Sequence, residues 1–151
     1  MRRILISLAI TALAATPAVA SEEQSVMAVV RQWTGLFNKD TATSALAACA
    51  DETSIIYDIP PYLWLGSGAC SSWLSALNAA SKKNAVTDLS STLLKPRHVV
   101  VTADRAYVVV PINFTFKLDD KVTKETGSTL TAALQKVPAG WRITAVTIAE
   151  H

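Results

Sequence analysis

The spacing of hydrophobic positions changes once along the chain, near Arg97. Before this point apolar residues recur at helical intervals, as at Val26, Val29, Val30 and Trp33, which is the repeat of an amphipathic helix. After it they alternate with polar residues, which is typical of strands with one buried face. The pattern predicts an α+β domain in which helices precede an antiparallel sheet.

Three helices are predicted in the first half. They cover the stretches SEEQSVMAVVRQWTGLFNKD, TATSALAACA (with Thr41 or Thr43 as its N-cap) and GACSSWLSALNAASKKN. Between the second and third helices, a strand is predicted from about Thr53 to Ile59. It should end where Pro60 removes a backbone donor.

Four strands are predicted after Arg97, in RHVVVT, RAYVVVPINFTFKL, ETGSTLTAALQK and GWRITAVTIAEH, joined by short turns. In the second of them one alternating set should face the helices: Val108, Val110, Ile112, Phe114 and Phe116. The other set is also partly apolar, so a second surface should cover it. We therefore expect a homodimer through the outer sheet face, with Tyr107, Val109, Asn113 and Thr115 in the contact.

The first twenty residues predict a secretory signal peptide. MRR is a positive start, ILISLAITALAA is an apolar run of 12 and AVA is a small-residue cleavage pattern ending at Ala20. That run is shorter than the roughly 20 residues that span a bilayer. We expect one domain, residues 21–151, in a periplasmic or secreted protein without a membrane anchor.

The charge argues against one class of partner, and the two cysteines raise the question of a disulfide. Without Arg2 and Arg3, the 14 basic residues become 12 and equal the 12 acidic ones, so no basic surface for nucleic acid is predicted. Export permits a disulfide between Cys49 and Cys70. Two buried free thiols are the alternative, because the sequence does not supply the Cα distance that a bridge requires.

The stretch SIIYDIPPYLWLG, residues 54–66, holds the candidate chemistry. Asp58 lies among apolar neighbours that would raise its pKa and suit it to general base catalysis; alternatively, it caps the turn before Pro60. Tyr57 is a second candidate base, or a core residue. Trp64 should lie near a ligand or in the core.

Other types of site find no support in the sequence. Only His98 and His151 are present, and with two cysteines they form no metal-binding spacing. No nucleophile elbow accompanies His98. GSGAC lacks the lysine of a phosphate loop. No cofactor is expected.

Three passages together resemble the nuclear-transport-factor-2-like superfamily of ketosteroid isomerases and polyketide cyclases. They are VVRQWTGLFNKDTATSALAACADETSIIYD, WLGSGACSSWLSAL and GWRITAVTIAEH. The resemblance implies a cone: three helices on a strongly curved, mostly antiparallel sheet around an apolar pocket. It places Tyr57 or Asp58 where isomerases keep their base, and Trp33 where they carry an oxyanion-hole tyrosine.

The chain departs from the isomerase pattern in the next-to-last strand. GSTLTAALQ offers no counterpart of the isomerases' neutral aspartic acid, so ketosteroid isomerisation is not expected. The leading hypothesis is binding of a small apolar or aromatic molecule, with Trp33, Trp64, Phe114 and Phe116 around the pocket. The alternatives are an isomerase, cyclase or dehydratase with Asp58 or Tyr57 as base, and a non-catalytic dimerisation domain.

Overall fold

The computed structural model describes residues 17–38 and 42–150. Its helices are α1 (Pro17–Thr34), a 3-10 turn (Gly35–Asn38), α2 (Ala42–Leu46) and α3 (Ala69–Lys83). The strands are β1 (Cys49–Ile56), β2 (Leu63–Ser67), β3 (Val86–Leu93), β4 (His98–Val101), β5 (Arg105–Leu118), β6 (Lys121–Val137) and β7 (Gly140–Ala149). The predicted α+β class, with three helices on a curved and mostly antiparallel sheet, is confirmed.

Two predictions fall partly outside these residues. Most of the predicted signal peptide precedes Pro17, and helix α1 continues past its predicted cleavage site after Ala20. Thr41, one of the two suggested caps of the second helix, is also outside. Within the described part of the chain, no helix is long and apolar enough to cross a membrane.

All strands belong to one sheet, in the order β2-β1-β7-β6-β5-β3, with β4 also paired to β5. Among the strands of residues 17–38 and 42–150, the single parallel pairing joins β1 to β7, where Ile55 lies opposite Val146. Strand β1 therefore lies between β2 and β7, inside the sheet, although it comes early in the chain. The long strands β5 and β6 form the longest ladder, whose register shifts between Ile112 and Phe114.

The inner face of β5 is buried as the alternation predicts. Val108, Val110 and Ile112 are fully buried, Phe114 is nearly so, and Phe116 is half-buried. Because successive strand residues point to opposite faces, this set meets the buried side of α1, whose spacing of apolar residues follows one helical face.

An aromatic cluster fills the space between the helices and the sheet. The rings of Trp33 and Trp73 stack with centroids 4.8 Å apart. Phe37 meets both indoles edge-on and contacts Phe114 at 5.2 Å. Such pairs contribute roughly 0.5–1.5 kcal/mol each beyond burial of their area, so this cluster fixes how the helices sit on the sheet.

The predicted strand boundaries need three corrections. The strand expected from Thr53 to Ile59 runs instead from Cys49 to Ile56, so Tyr57 and Asp58 lie in the turn that follows. Strands β2 and β3 were not predicted. In β2 only one residue is buried, and the strand lies between a proline pair and Gly68. Strand β3 is rich in polar residues and has one buried residue.

Cys49 and Cys70 form a disulfide, so the free-thiol alternative does not hold. Their Cα atoms are 6.6 Å apart, within the range that a bridge spans. The bond ties the first residue of β1 to the first turn of α3. These two elements flank the cavity described below.

Candidate functional site

A cavity of about 150 Å³ opens between the end of α3 and the inner face of the sheet. Most of its wall is apolar, and an acidic group of side chains lies among the rest. The lining residues are Tyr57, Asp58, Ile59, Leu77, Ala80, Ser81, Asn84, Val86, Leu89, Phe114, Phe116, Glu125, Ile148 and Glu150. Small-molecule sites commonly combine apolar walls with a few polar groups in this way.

The turn after β1 brings Tyr57 and Asp58 to the cavity. The backbone closes this turn: the Tyr62 N–H donates to the Ile59 carbonyl at 2.8 Å, and the Tyr57 N–H donates to the Tyr62 carbonyl at 3.2 Å. Asp58 is exposed but lines the cavity. The hypothesis that Asp58 faces a pocket therefore has a geometric basis.

Two further carboxyl groups come from the sheet. Glu125 on β6 lies opposite the buried Phe114 in the β5–β6 register, and its Oε1 accepts a hydrogen bond from Ser128 Oγ at 2.8 Å. Glu150 directly follows β7. Three carboxyl groups, with Asp58, therefore contribute to the wall of one cavity.

Asp58 and Glu150 interact directly. The hydrogen bond between their carboxyl groups, followed by desolvation and by repulsion from Asp58 and Glu125, raises the pKa of Glu150 to about 7. A hydrogen bond between two carboxyl groups requires one of them to hold a proton. Near neutral pH the pair can therefore either release or accept a proton.

The phenol of Tyr57 is a different kind of group. Desolvation, and then repulsion from Asp58, Glu125 and Glu150, raises its pKa well above the usual range of tyrosine. Its ring meets Trp73 edge-on with centroids 5.7 Å apart. Tyr57 thus stays protonated at neutral pH and can donate a hydrogen bond, which does not favour it as a general base.

The other predicted pocket residues divide into two groups. Phe114 and Phe116 line the cavity. Trp33 and Trp64 do not line it: Trp33 is 1% exposed in the aromatic cluster, and Trp64, 8% exposed, faces the core beside Ile55. Their size and apolarity suit a core and a pocket equally well, so the sequence alone did not distinguish the two.

Sequence reasoning missed Glu125 and Glu150. A signal for Glu150 was present, because it continues the inward-facing alternation of Val146 and Ile148. Within the described ranges, no group of three potential metal ligands lies close enough to hold an ion. The three carboxyl groups of the cavity wall therefore do not form a metal-binding cluster.

Solved structures with the same fold share little sequence with this chain. One is a nuclear-transport-factor-2-like protein with a cystatin-like fold from Novosphingobium aromaticivorans (TM-score 0.71, 13% identity, covering 88% of this chain and 84% of that one). Another is a nuclear-transport-factor-2-like superfamily protein from Salmonella enterica (TM-score 0.71, 17% identity, 87% and 92%). A third is a ketosteroid isomerase-like protein from Erwinia carotovora atroseptica (TM-score 0.65, 18% identity, 85% and 95%).

The sequence matches no family model, and no curated protein matches it. The structural matches cover nearly the whole described chain, so the chain has the nuclear-transport-factor-2-like fold. At these identities they establish the fold alone, and the same fold hosts many functions.

Proposed function

We propose that this domain, which has the nuclear-transport-factor-2-like fold, binds a small apolar molecule in the cavity between α3 and the sheet. The cavity itself carries the proposal: about 150 Å³ of space walled by Leu77, Phe114, Phe116 and Ile148, with acidic groups beside them. Unfilled apolar space of this size lowers stability unless something occupies it. A ligand that buries these side chains gains the hydrophobic free energy of their surface.

Filling the cavity tests this function. Ala80 lines it from α3, whereas Ala79 is exposed on the same helix and does not line it. Toluene should shift the NMR resonances of Phe114 and Ile148 in the wild-type protein and in Ala79→Phe. It should shift neither in Ala80→Phe. Toluene shifts that persist unchanged in Ala80→Phe, or that are absent from the wild-type protein, would count against the pocket.

A second candidate function is proton-transfer catalysis, and the Asp58–Glu150 carboxyl pair favours it. A carboxylate in such a pair can accept a proton next to a carbonyl group, while its partner holds one. In this candidate Asp58 takes the substrate proton, Glu150 stabilises the pair, and Tyr57 donates a hydrogen bond to the oxygen. One structural neighbour is described as ketosteroid isomerase-like, which agrees with this class of chemistry.

Cyclohexanone in D2O is a suitable probe for the second candidate, because exchange of its α-protons reports proton abstraction without a known substrate. The wild-type protein should accelerate the exchange, and Asp58→Asn should abolish the acceleration. Glu52→Gln is the matched control, since Glu52 is an exposed carboxylate that does not line the cavity. Equal exchange rates for the wild-type protein and Asp58→Asn would show that Asp58 does not catalyse proton abstraction.

We also propose that the protein is exported and that its mature chain starts at Ser21. The contacts of Glu22 are compatible with cleavage after Ala20, because the new second residue would retain them. Its carboxylate accepts hydrogen bonds from Lys136 Nζ at 2.6 Å and from Trp141 Nε1 at 2.8 Å. N-terminal sequencing of the periplasmic or secreted protein tests the proposal, and a retained Met1 would contradict it.

The outer sheet face supports the proposed homodimer. Two rows of paired positions cross six strands of this face. The rows are Leu63, Ile56, Thr147, Thr131, Val109 and His98, and Leu65, Ser54, Ala145, Ala133, Tyr107 and Val100. None of these residues is acidic or a lysine or arginine. The rows extend roughly 24 Å across, at about 4.8 Å per strand interval.

A second copy of the chain is the partner that suits this face. In a two-fold contact each residue meets the same surface on the other subunit, and an uncharged surface does so without repulsion. The face also exposes large apolar side chains: Ile56 is 57% exposed, Leu65 64% and Tyr107 45%. Tyr107→Lys should therefore convert a dimer to a monomer in light scattering, while Ser72→Lys, on exposed helix surface, should not. A monomeric wild-type protein would disprove the dimer.

A further inference from the structure

We infer that the ligand of this cavity is a small organic cation: a protonated amine on an apolar body about the size of a benzene ring. The inference rests on the proposed binding function and names its ligand class. Three features of the cavity support it, namely its volume, the sign of the charges on its wall, and the absence of a metal-binding cluster among the described residues.

The volume sets the size of the apolar body. A cavity of about 150 Å³ matches the apolar cavities of roughly this volume that hold benzene. The apolar part of the wall, including Leu77, Phe114, Phe116 and Ile148, provides contacts for such a ring or for a short branched alkyl chain. A multi-ring ligand would extend into solvent.

The charges on the wall have one sign. Asp58, Glu125 and Glu150 line the cavity, and among the residues that the structure describes its lining contains no lysine, arginine or histidine. Within the described chain, Glu125 accepts a hydrogen bond from Ser128, a neutral donor, and Tyr57 remains neutral. The described part of the wall is therefore negative. A negative wall attracts a positive ligand and repels a carboxylate or phosphate.

The absence of a metal-binding cluster among the described residues favours an organic cation over a metal ion. Calcium and magnesium need several oxygens converging at about 2–2.6 Å. No three acidic, histidine or cysteine side chains of the described residues are grouped to provide this. An ammonium group donates three hydrogen bonds from one atom, and one or two carboxylates beside an apolar wall are sufficient to hold it.

Binding of a cation should be coupled to the protonation of Glu150. The charged and titratable groups facing Glu150 are Asp58 after β1, Glu125 on β6 and the Tyr57 phenol; the β5 and α3 residues that line the cavity are uncharged. An ammonium group beside the pair favours the ionised form of Glu150 and lowers its pKa. At pH 7 the complex should therefore release a proton, and affinity should fall as the pH drops below about 7.

Benzylamine, benzyl alcohol and benzoate test the inference, because they share a ring and differ in charge. In calorimetry at pH 8, benzylamine should bind about tenfold tighter than benzyl alcohol, and benzoate should bind weakest. Glu125→Gln and Asp58→Asn should each reduce the preference for benzylamine over benzyl alcohol several-fold. Circular dichroism spectra that match the wild-type spectrum show that the variants are folded. Glu52→Gln is the control and should change nothing.

Calorimetry at pH 7 in buffers of different ionisation enthalpy measures the number of protons released on binding. Benzylamine should release a proton from the wild-type protein but not from Glu150→Gln, and benzyl alcohol should release none from either. Equal affinity for benzylamine and benzyl alcohol, or a preference for benzoate, would overturn the cationic ligand while the pocket itself remained supported. Failure of toluene and all three probes to bind would overturn the pocket, and the inference with it.

Discussion

Removing the disulfide between Cys49 and Cys70 should cost about 3 kcal/mol of unfolding free energy. The bridge closes a loop across a sequence separation of 21 residues. The chain-entropy relation for a loop of this length gives a stabilisation of about 3 kcal/mol at 25 °C, because the bridge restricts the unfolded chain. This is a large share of the 5–15 kcal/mol that is typical of a domain.

Reduced wild-type protein measures the bond most directly, because every side chain remains in place. The Cys49→Ala/Cys70→Ala variant should lose slightly more stability, by roughly 1 kcal/mol, since Cys70 is only 6% exposed and its sulfur would leave a void. Urea unfolding can be followed by tryptophan fluorescence, because Trp33 and Trp73 are buried together. The slope with urea should also increase on reduction, since the unfolded chain becomes less compact.

A difference below about 1 kcal/mol in unfolding free energy between oxidised and reduced protein would refute this reasoning. It would mean that the bridge does not stabilise the fold by restricting the unfolded chain. The result also bears on the cavity. The bridge holds β1, which leads into Asp58, against α3, which supplies Leu77 and Ala80. Reduction should therefore weaken toluene binding even at temperatures where the protein stays folded.

Three other substitutions test the core, the 3-10 turn and the acidic pair. Phe37→Ala should lower the unfolding free energy by about 3–5 kcal/mol, and Phe37→Leu should lower it less; equal losses in urea melts would contradict the packing role. Asn38→Ala leaves the Ser91 N–H without the acceptor that it meets at 2.7 Å and should cost about 1–3 kcal/mol, whereas Asn38→Asp keeps an acceptor and should not. Because the pKa of Glu150 is raised to about 7 by Asp58, the wild-type protein should lose stability as the pH rises from 4.5 to 7. Glu150→Gln should lack this loss. If the Tm values of the two proteins changed equally between pH 4, 6 and 8, the prediction would be wrong.

The parts of the fold that the sequence predicted are those with a strong local pattern. Strand β5 alternates apolar and polar residues over its full length, and its inner set is buried as expected. Strand β3 has no such pattern in its sequence. Its residues Ser90, Ser91 and Thr92 pair with β5 at the margin of the sheet. Its conformation is imposed by the neighbouring strand, and composition therefore did not predict it.

The candidate site was predicted in part for a related reason. Asp58 and Tyr57 stood out because they follow an apolar run and precede two prolines. Glu125 and Glu150 acquire their setting only when β6, β7 and the turn after β1 meet at one end of the cavity. A charged residue near the end of a strand is usually solvated, so tertiary structure alone distinguishes these two from ordinary surface residues.

The parallel pairing of β1 with β7 has a consequence for how the chain folds. Thr53 Oγ1 donates to the Ile143 carbonyl, a partner 90 positions further along the sequence. Contacts of such high sequence separation form slowly, because most of the chain must be ordered before they close. During synthesis the sheet cannot be completed until the last strand has emerged, so the nascent chain remains open for most of its length.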